Sequence, residues 1–178
     1  MHHNYIFRYC PVCGEEFESK VLRENEPPRL VCKNQECKYV FYLDPKLVAC
    51  VLVEKDNKIV LLKRAMRPER GKWVMPGGYV DRGEQVEEAA LRETKEECRI
   101  DIELKELFDV YSYPGYLEVV IVYLAEYKSG TLAAGDETTD IKLIGVEEIP
   151  WDHLAFESTK DALKDYCELK KKTGKENL

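Results

Sequence analysis

The sequence predicts a mixed α/β sandwich behind a small cysteine-rich segment, and three observations carry that expectation. Four of the seven cysteines fall within the first 37 residues. From residue 47 onward, short apolar runs rich in β-branched residues recur between turn signals. Two stretches of helical periodicity interrupt them, one central and one near the end, and strands mixed with helices in this order make a sandwich.

The bulk properties narrow what such a chain does. At 178 residues it has room for one ordinary domain with an appendage, and 44% apolar content is enough for a real core. A net charge of −7 argues against general binding to nucleic acid or to an anionic membrane, both of which rely on a basic footprint. An anionic substrate stays compatible if a bound cation inverts the local sign. No apolar run approaches the roughly 18 residues of a membrane span. The opening MHHNYIFRYC has neither the basic start nor the apolar centre of a secretory signal, and His2 and His3 are given no role. An odd cysteine count without an export signal predicts a reducing, cytoplasmic setting with buried or metal-binding thiols.

The elements follow in order. Cys10-Pro-Val-Cys13 and Cys32-Lys-Asn-Gln-Glu-Cys37 flank a polar segment with Pro27 and Pro28, a loop or irregular ribbon. Tyr39, Phe41 and Tyr42 lead into Asp44-Pro45, which sets the expected boundary between residues 1–43 and 44–178. LVACVLVE (47–54) and KIVLLK (58–63) read as strands joined by Lys55-Asp56-Asn57. Residues 64–72 are basic and irregular, and WVMPGGYV (73–80) reads as a strand broken by Pro76, Gly77 and Gly78. A helix is predicted over 84–98, with Gly83 near its N-cap. IDIELKELFDVYSY (100–113) and LEVVIVYLAEY (117–127) read as strands around Pro114-Gly115, and IKLIGVE (141–147) as another. Ser158 or Thr159 caps a last helix whose apolar stripe is Ala162, Leu163, Tyr166 and Leu169.

The central helix carries the chemistry. Like charges one turn apart cost roughly 0.2–0.5 kcal/mol per exposed pair, yet RETKEE (92–97) crowds Glu93, Glu96 and Glu97 together. At about 100° per residue these three fall within an arc of about 100°, on the face that also holds Val86, Ala89 and Ala90. Leu91, Thr94 and Cys98 lie on another side, next to the expected core. Carboxylates that continue an apolar stripe face protein or a cleft, where they are costly without cations. Magnesium or manganese suits such oxygen donors and bridges protein to substrate phosphates. Gly77-Gly78 lets backbone approach the site and offer a carbonyl, and Arg92 pairs with Glu84 or Glu93.

Gly78, five residues, Glu84, seven residues and Arg92-Glu93-Thr94-Lys95-Glu96-Glu97 resemble the Nudix box, G-x5-E-x7-R-E-U-x-E-E-x-G-U. Thr94 stands where a bulky apolar residue is usual, and Arg99 replaces the last glycine, which normally lets the chain leave the helix. The resemblance implies a Nudix-type α/β/α sandwich and a hydrolase for nucleoside diphosphates linked to another group. It implies Glu96 and Glu97 as ligands of catalytic Mg2+ or Mn2+, Glu93 as ligand or water-orienting base, and the Gly77 carbonyl as a further ligand. Arg92 and Glu84 then support the helix, and Glu137, with Asp136 as fallback, supplies a later-loop acid. For substrate binding the candidates are Arg64, Tyr113 and Tyr116, with Tyr111 and Trp73 as further rings able to stack on a base. Lys63, Arg67 and Arg70 are further local phosphate contacts.

The Cys10, Cys13, Cys32 and Cys37 spacings resemble a four-cysteine zinc ribbon, whose zinc is structural because four thiolates fill its shell. Such a site supplies ~10–16 kcal/mol of apparent binding energy, enough to fold a segment with little core. Cys50, Cys98 and Cys167 read as core thiols. A ribbon ahead of the box is similar to NADH pyrophosphatase-like Nudix proteins and to shorter relatives acting on ADP-ribose or FAD, and EEIPWDHLAFESTKDAL (147–163) resembles the tail of the shorter group. The S-Q-P-W-P-F-P signature is absent; DVYSYPGYLEVV (109–120) stands in its place. The expected function is metal-dependent cleavage of ADP-ribose, FAD or an NADH-like dinucleotide, and the implied partners are a small nucleotide and a second copy in a homodimer. The alternatives are a nucleoside triphosphate pyrophosphohydrolase and a non-catalytic sensor of ADP-ribose or NAD.

Overall fold

The structure, a computed structural model, describes residues 7–175 and the side chains of 7–172; His2 and His3 lie outside the described residues. The chain divides into two compact units, Met1–Pro45 and Lys46–Leu178.

The first unit is a three-stranded antiparallel sheet of β1 (Phe17–Lys20), β2 (Arg29–Cys32) and β3 (Val40–Phe41). Its interior is small. Phe17 packs against Phe41, with ring centroids 5.9 Å apart, and against Tyr39 at 6.4 Å. These rings are half-buried, and among the described residues of this unit only Cys10 and Cys32 are buried. So little apolar area cannot hold a sheet by itself.

In the second unit the predicted 47–54 and 58–63 runs form β4 (Lys46–Lys55) and β5 (Lys58–Arg64). Asp56 and Asn57 both have positive φ, 51° and 59°, the two-residue turn whose twist matches antiparallel strands. The hairpin pairs only at its tip, Glu54 with Ile59 and Lys55 with Lys58. Farther on, the segment 73–79 is inserted between the two strands. β6 (Trp73–Val74) pairs with β5, β7 (Gly77–Tyr79) pairs with β4, and the Val51 N–H donates to the Pro76 carbonyl at 2.9 Å. The interruption lies at Met75-Pro76; both glycines are strand residues.

β8 (Ile100–Ser112), β9 (Glu118–Gly130) and β10 (Thr138–Ile144) complete a seven-stranded sheet with the order β10-β5-β4-β9-β8, in which β4 and β9 are parallel and the remaining pairs antiparallel. The predicted 141–147 strand thus starts three residues earlier and ends at Ile144, and Val146–Glu148 is a 3-10 turn. Helices α1 (Val86–Cys98) and α2 (Glu157–Lys175) lie on opposite faces. The alternation along β4 assigns them: Ala49, Val51 and Val53 pack with Ala89, Ala90 and Cys98 of α1, while Cys50 and Leu52 pack with Ala162, Leu163 and Tyr166 of α2. This is the expected α/β/α sandwich. A strand covered on both sides reads as a continuous apolar run, which is what LVACVLV is. Each fully buried Leu or Val side chain is worth about 1.5–3 kcal/mol. Among the described residues no helix is long and apolar enough to cross a membrane.

Three local expectations are corrected. α1 begins at Val86 rather than at 84, with Gln85 as its N-cap and Gly83 two residues before it. The Glu84 N–H donates to the Asp81 carbonyl at 3.0 Å and the Glu84 carboxylate accepts from the Asp81 N–H at 3.0 Å, so 81–84 is a closed turn that the helix cannot enter. Leu91, expected beside the core, is 40% exposed. It lies about 20° beyond Cys98 and about 60° beyond Thr94 on the helix projection, past the rim of the buried stripe. In α2, Ser158 and Thr159 are buried in the first turn instead of capping it, and the Lys160 N–H donates to the Phe156 carbonyl.

Both departures from the box pattern have a structural resolution. Thr94 is fully buried, and its hydroxyl donates to the Ala90 carbonyl at 2.8 Å, so no polar group is left unpaired. Arg99 is the C-cap of α1 with φ 59° and ψ 23°, and its N–H donates to the Lys95 carbonyl. The helix therefore exits as a glycine would make it, at the cost of a left-handed non-glycine residue. Arg99→Gly is expected to stabilise the 46–178 unit by about 1 kcal/mol, since the 3.9 Å contact of Arg99 with fully exposed Asp136 is worth little. Chemical denaturation of the two proteins measures it, and an unchanged or lower midpoint contradicts it.

Candidate active site

β7 is wedged between β4 and α1, and only glycine fits there. A Cβ on Gly78 would lie 2.4 Å from the Glu93 Cδ and Oε1 atoms, and one on Gly77 would lie 2.3 Å from the Ala49 carbonyl oxygen. The contact carries a hydrogen bond: the Gly77 N–H donates to Glu97 Oε2 at 2.9 Å. Sequence reasoning singled out the Gly77 carbonyl; the N–H bond depends on the placement of α1 over β7 and has no local signal.

Arg92 organises the carboxylates. Its Nε and Nη2 donate to the two Glu84 oxygens at 2.8 and 3.0 Å, a bidentate pair. Nη1 donates to Glu93 Oε1 at 2.7 Å and Nη2 also reaches the Tyr79 carbonyl at 3.1 Å. Glu96 lies 3.5 Å from Nη1 and is largely exposed. One guanidinium thus ties the turn before α1, the end of β7 and the helix itself. The Arg92 partnership and the Asp81 N–H hold Glu84 down at about 2.

Glu93 and Glu97 are shifted the other way. Burial pushes Glu97 up to about 7; the Gly77 N–H and Arg64 oppose this, while the charges of Glu93 and Glu137 add to it. Burial also raises Glu93, against its bond to Arg92 and with repulsion from Glu96 and Glu137. Glu137 therefore sits with the helix carboxylates, its own carbonyl accepting from the Ala65 N–H at 2.9 Å. Arg64 faces the same group; its Nε donates to the Pro68 carbonyl and its guanidinium stacks 4.9 Å over the Phe156 ring. Phe156 and Pro68 come from segments whose sequence shows no sign of that role.

The structure gathers Glu93, Glu96, Glu97, Glu137, Gly77, Arg92 and Arg64 at one end of α1. An all-oxygen donor set in which buried carboxylates raise one another chemically fits hard divalent cations. The candidate rings Tyr111, Tyr113 and Trp73 lie on the α2 side of the sheet. Tyr113 donates to Asp161 of α2 at 2.9 Å and meets Tyr116 edge-on at 5.9 Å, and Tyr111 donates to Asp165. Trp73 is 8% exposed and belongs to the core under α2, with the Lys63 and Lys142 ammonium groups near its ring, so stacking on a substrate base is closed to it.

The cysteine cluster is tighter. Ligand sulfurs of Cys10, Cys13, Cys32 and Cys37 all lie within 4.8 Å of one another, with Cys10–Cys37 at 3.8 Å and Cys13–Cys32 at 3.4 Å. A tetrahedron with Zn–S bonds of about 2.3 Å has edges of about 3.8 Å, so the four thiols fit zinc closely. Burial raises the Cys10 thiol, but hydrogen bonds from the backbone N–H groups of Cys13 and Val12 and from the neighbouring thiols of Cys13 and Cys32 together bring the sulfur to about 7. Burial holds Cys32 up at about 12, so the first thiolate of the cluster forms at Cys10.

Comparison with known proteins finds a family for each unit. The NUDIX domain family matches residues 44–166, and the Nudix N-terminal zinc-ribbon family matches residues 8–43. The chain is 35% identical over 164 residues to an ADP-ribose pyrophosphatase of Methanocaldococcus jannaschii, covering 89% of this chain and 95% of the relative. It is 28% identical over 152 residues to a NAD-capped RNA hydrolase of Vibrio parahaemolyticus, of which it spans 55%. A crystal structure of a NUDIX hydrolase from Nitrosomonas europaea superposes with a TM-score of 0.84 at 34% identity, covering 91% of each chain.

The carboxylate cluster predicts a pH signature. Glu97 binds its proton more tightly folded than unfolded, so its stabilising contribution is complete below about 4.5 and is lost as pH rises through about 7. Glu93 acts in the same direction. Magnesium added to zinc-loaded protein should therefore raise the melting temperature more at pH 8 than at pH 5.5. Thermal scans across that range check this, and an equal or larger rise at the lower pH would refute it.

Proposed function

The chain belongs to the NUDIX family, and on that premise we propose that it is a magnesium- or manganese-dependent pyrophosphohydrolase whose substrate is ADP-ribose, or a closely related ADP-containing dinucleotide such as FAD or NADH. The observation that carries the chemistry is the Arg92 clamp, which presents Glu93 beside Glu97 on the last turns of α1. In this reading Glu96, Glu97 and the Gly77 carbonyl would hold the divalent cations, and Glu137 would join them from the loop before β10. Bound there, the cations neutralise the diphosphate and acidify a water for attack on phosphorus.

The protein groups do the rest. Arg92 fixes Glu93 Oε1, leaving the other oxygen to orient the attacking water and take its proton. Burial raises the Glu93 carboxyl, against its bond to Arg92, which is the direction that suits a general base. Arg64, held by Phe156 and Pro68 near Glu97, is placed to meet a phosphate. Tyr113 and Tyr116 are assigned to the nucleoside end, where Tyr113 keeps its ring fixed through Asp161. Attack at phosphorus divides ADP-ribose into AMP and ribose 5-phosphate.

The choice of ADP-ribose is supported by the Methanocaldococcus relative, which matches both units at nearly full length. The Vibrio relative supports the wider ADP-dinucleotide class, but the chain spans about half of it, and a net charge of −7 does not favour an RNA substrate. The four-cysteine unit is assigned structural zinc.

Incubation of ADP-ribose, FAD, NADH and nucleoside triphosphates with enzyme and Mg2+ or Mn2+ tests the assignment by the products released. AMP and ribose 5-phosphate should form fastest from ADP-ribose; triphosphates consumed far faster, or no turnover at all, would reject it. Glu97→Gln should lower kcat by at least about a hundredfold with the fold retained.

A further inference from the structure

The loop between β9 and β10 meets the C-terminal end of α1 through its backbone. The Ala133 N–H donates to the Cys98 carbonyl at 3.2 Å and the Gly135 N–H donates to the Glu97 carbonyl at 2.9 Å. Both acceptors belong to the last turn of α1, whose carbonyls have no partners within the helix. At Gly135 the approach is so close that a Cβ would lie 2.2 Å from the Glu96 carbonyl oxygen and 3.0 Å from the Glu97 Cα. Those are backbone atoms at the two paired glutamates of the site, and they cannot swing aside. Two residues later comes Glu137, whose carbonyl is tied to the Ala65 N–H, and Thr138 opens β10 in register with Arg64. The Thr138 hydroxyl is buried on this strand without a hydrogen-bond partner.

We propose that Gly135 is a positioning residue of the hydrolytic site: its missing side chain lets the loop dock directly on the Glu96-Glu97 backbone, and that docking sets the distance between Glu137 and the helix carboxylates. The loop thereby acts as a second rigid support for the site, anchored at Glu97 on one side and at Ala65 on the other. Glu137 reaches the cations of a diphosphate substrate only while both anchors hold. This rests on the role proposed above for Glu137. A carbon–oxygen contact relaxes to about 3.3 Å, so an alanine at 135 drives loop and helix apart by about 1 Å. A displacement of that size at a catalytic group costs on the order of a hundredfold.

The experiment compares Gly135→Ala, Glu137→Gln and the double variant in steady-state hydrolysis of ADP-ribose, with the Mg2+ dependence of each. Gly135→Ala is expected to lose about ten- to a hundredfold in kcat, to need more Mg2+ for half-activation, and to keep KM within about twofold. Added to Glu137→Gln it should cause no further loss, because the two act as one unit. Losses that multiply in the double variant, or full activity in Gly135→Ala beside an impaired Glu137→Gln, would overturn the inference while leaving the Glu137 assignment intact. Full activity in Glu137→Gln removes that assignment, and the inference with it. Should Gly135→Ala not fold, amide exchange of the unmodified protein decides. A Gly135 amide protected like those of α1 supports the docking, and one that exchanges as an open loop overturns it.

Discussion

The site depends on one guanidinium. Arg92 joins Glu84, Glu93 and the Tyr79 carbonyl, groups that come from the turn before α1, from α1 and from the end of β7. Removing it would leave two partly buried carboxylates without their partner and release the helix from the strand below. A lysine would keep the charge but lose the planar fork that satisfies Glu84 with two bonds while still reaching Glu93. The arrangement also explains why negative charge is tolerated here. Arg92 neutralises the outer carboxylates, so the surplus is confined to Glu97 and its neighbours, where a cation has the most to offer.

Much of this was readable in one dimension. The spacing from Gly78 through Glu84 to Arg92 and the paired Glu96-Glu97 lies within 20 residues, and a helix converts spacing into direction with little help from the rest of the chain. The cysteine pairs are equally local, and their sulfurs meet as their spacing implies. Helix ends were less legible. Glu84 has good helical propensity and was read into α1, but its carboxylate is taken by Arg92 and by the Asp81 N–H, and tertiary bonds override propensity. Leu91 was misplaced because the buried stripe is centred nearer Ala90 and Thr94 than the glutamate arc suggested.

What could not be read depends on pairings between distant segments. The Gly77 N–H finds Glu97 only because β7 lies under α1, and Arg64 finds Phe156 across more than ninety residues. The tyrosines show the same limit in reverse. Tyr113 and Tyr116 flank the Pro114-Gly115 turn and are substrate-binding candidates in the sequence, yet the bond of Tyr113 to Asp161 commits it to the side of the sheet that α2 covers.

The insertion of residues 73–79 between β4 and β5 bears on how the protein is made. The hairpin can close at its Asp56-Asn57 tip early, because that contact is local. Its open end must wait for a segment that arrives later in the chain, bonds to both strands and brings Gly77 and Gly78 with it. The floor of the site therefore closes only after the tip of the hairpin. A chain stalled before that step keeps an open hairpin, and Glu97 lacks the backbone N–H that Gly77 brings to it.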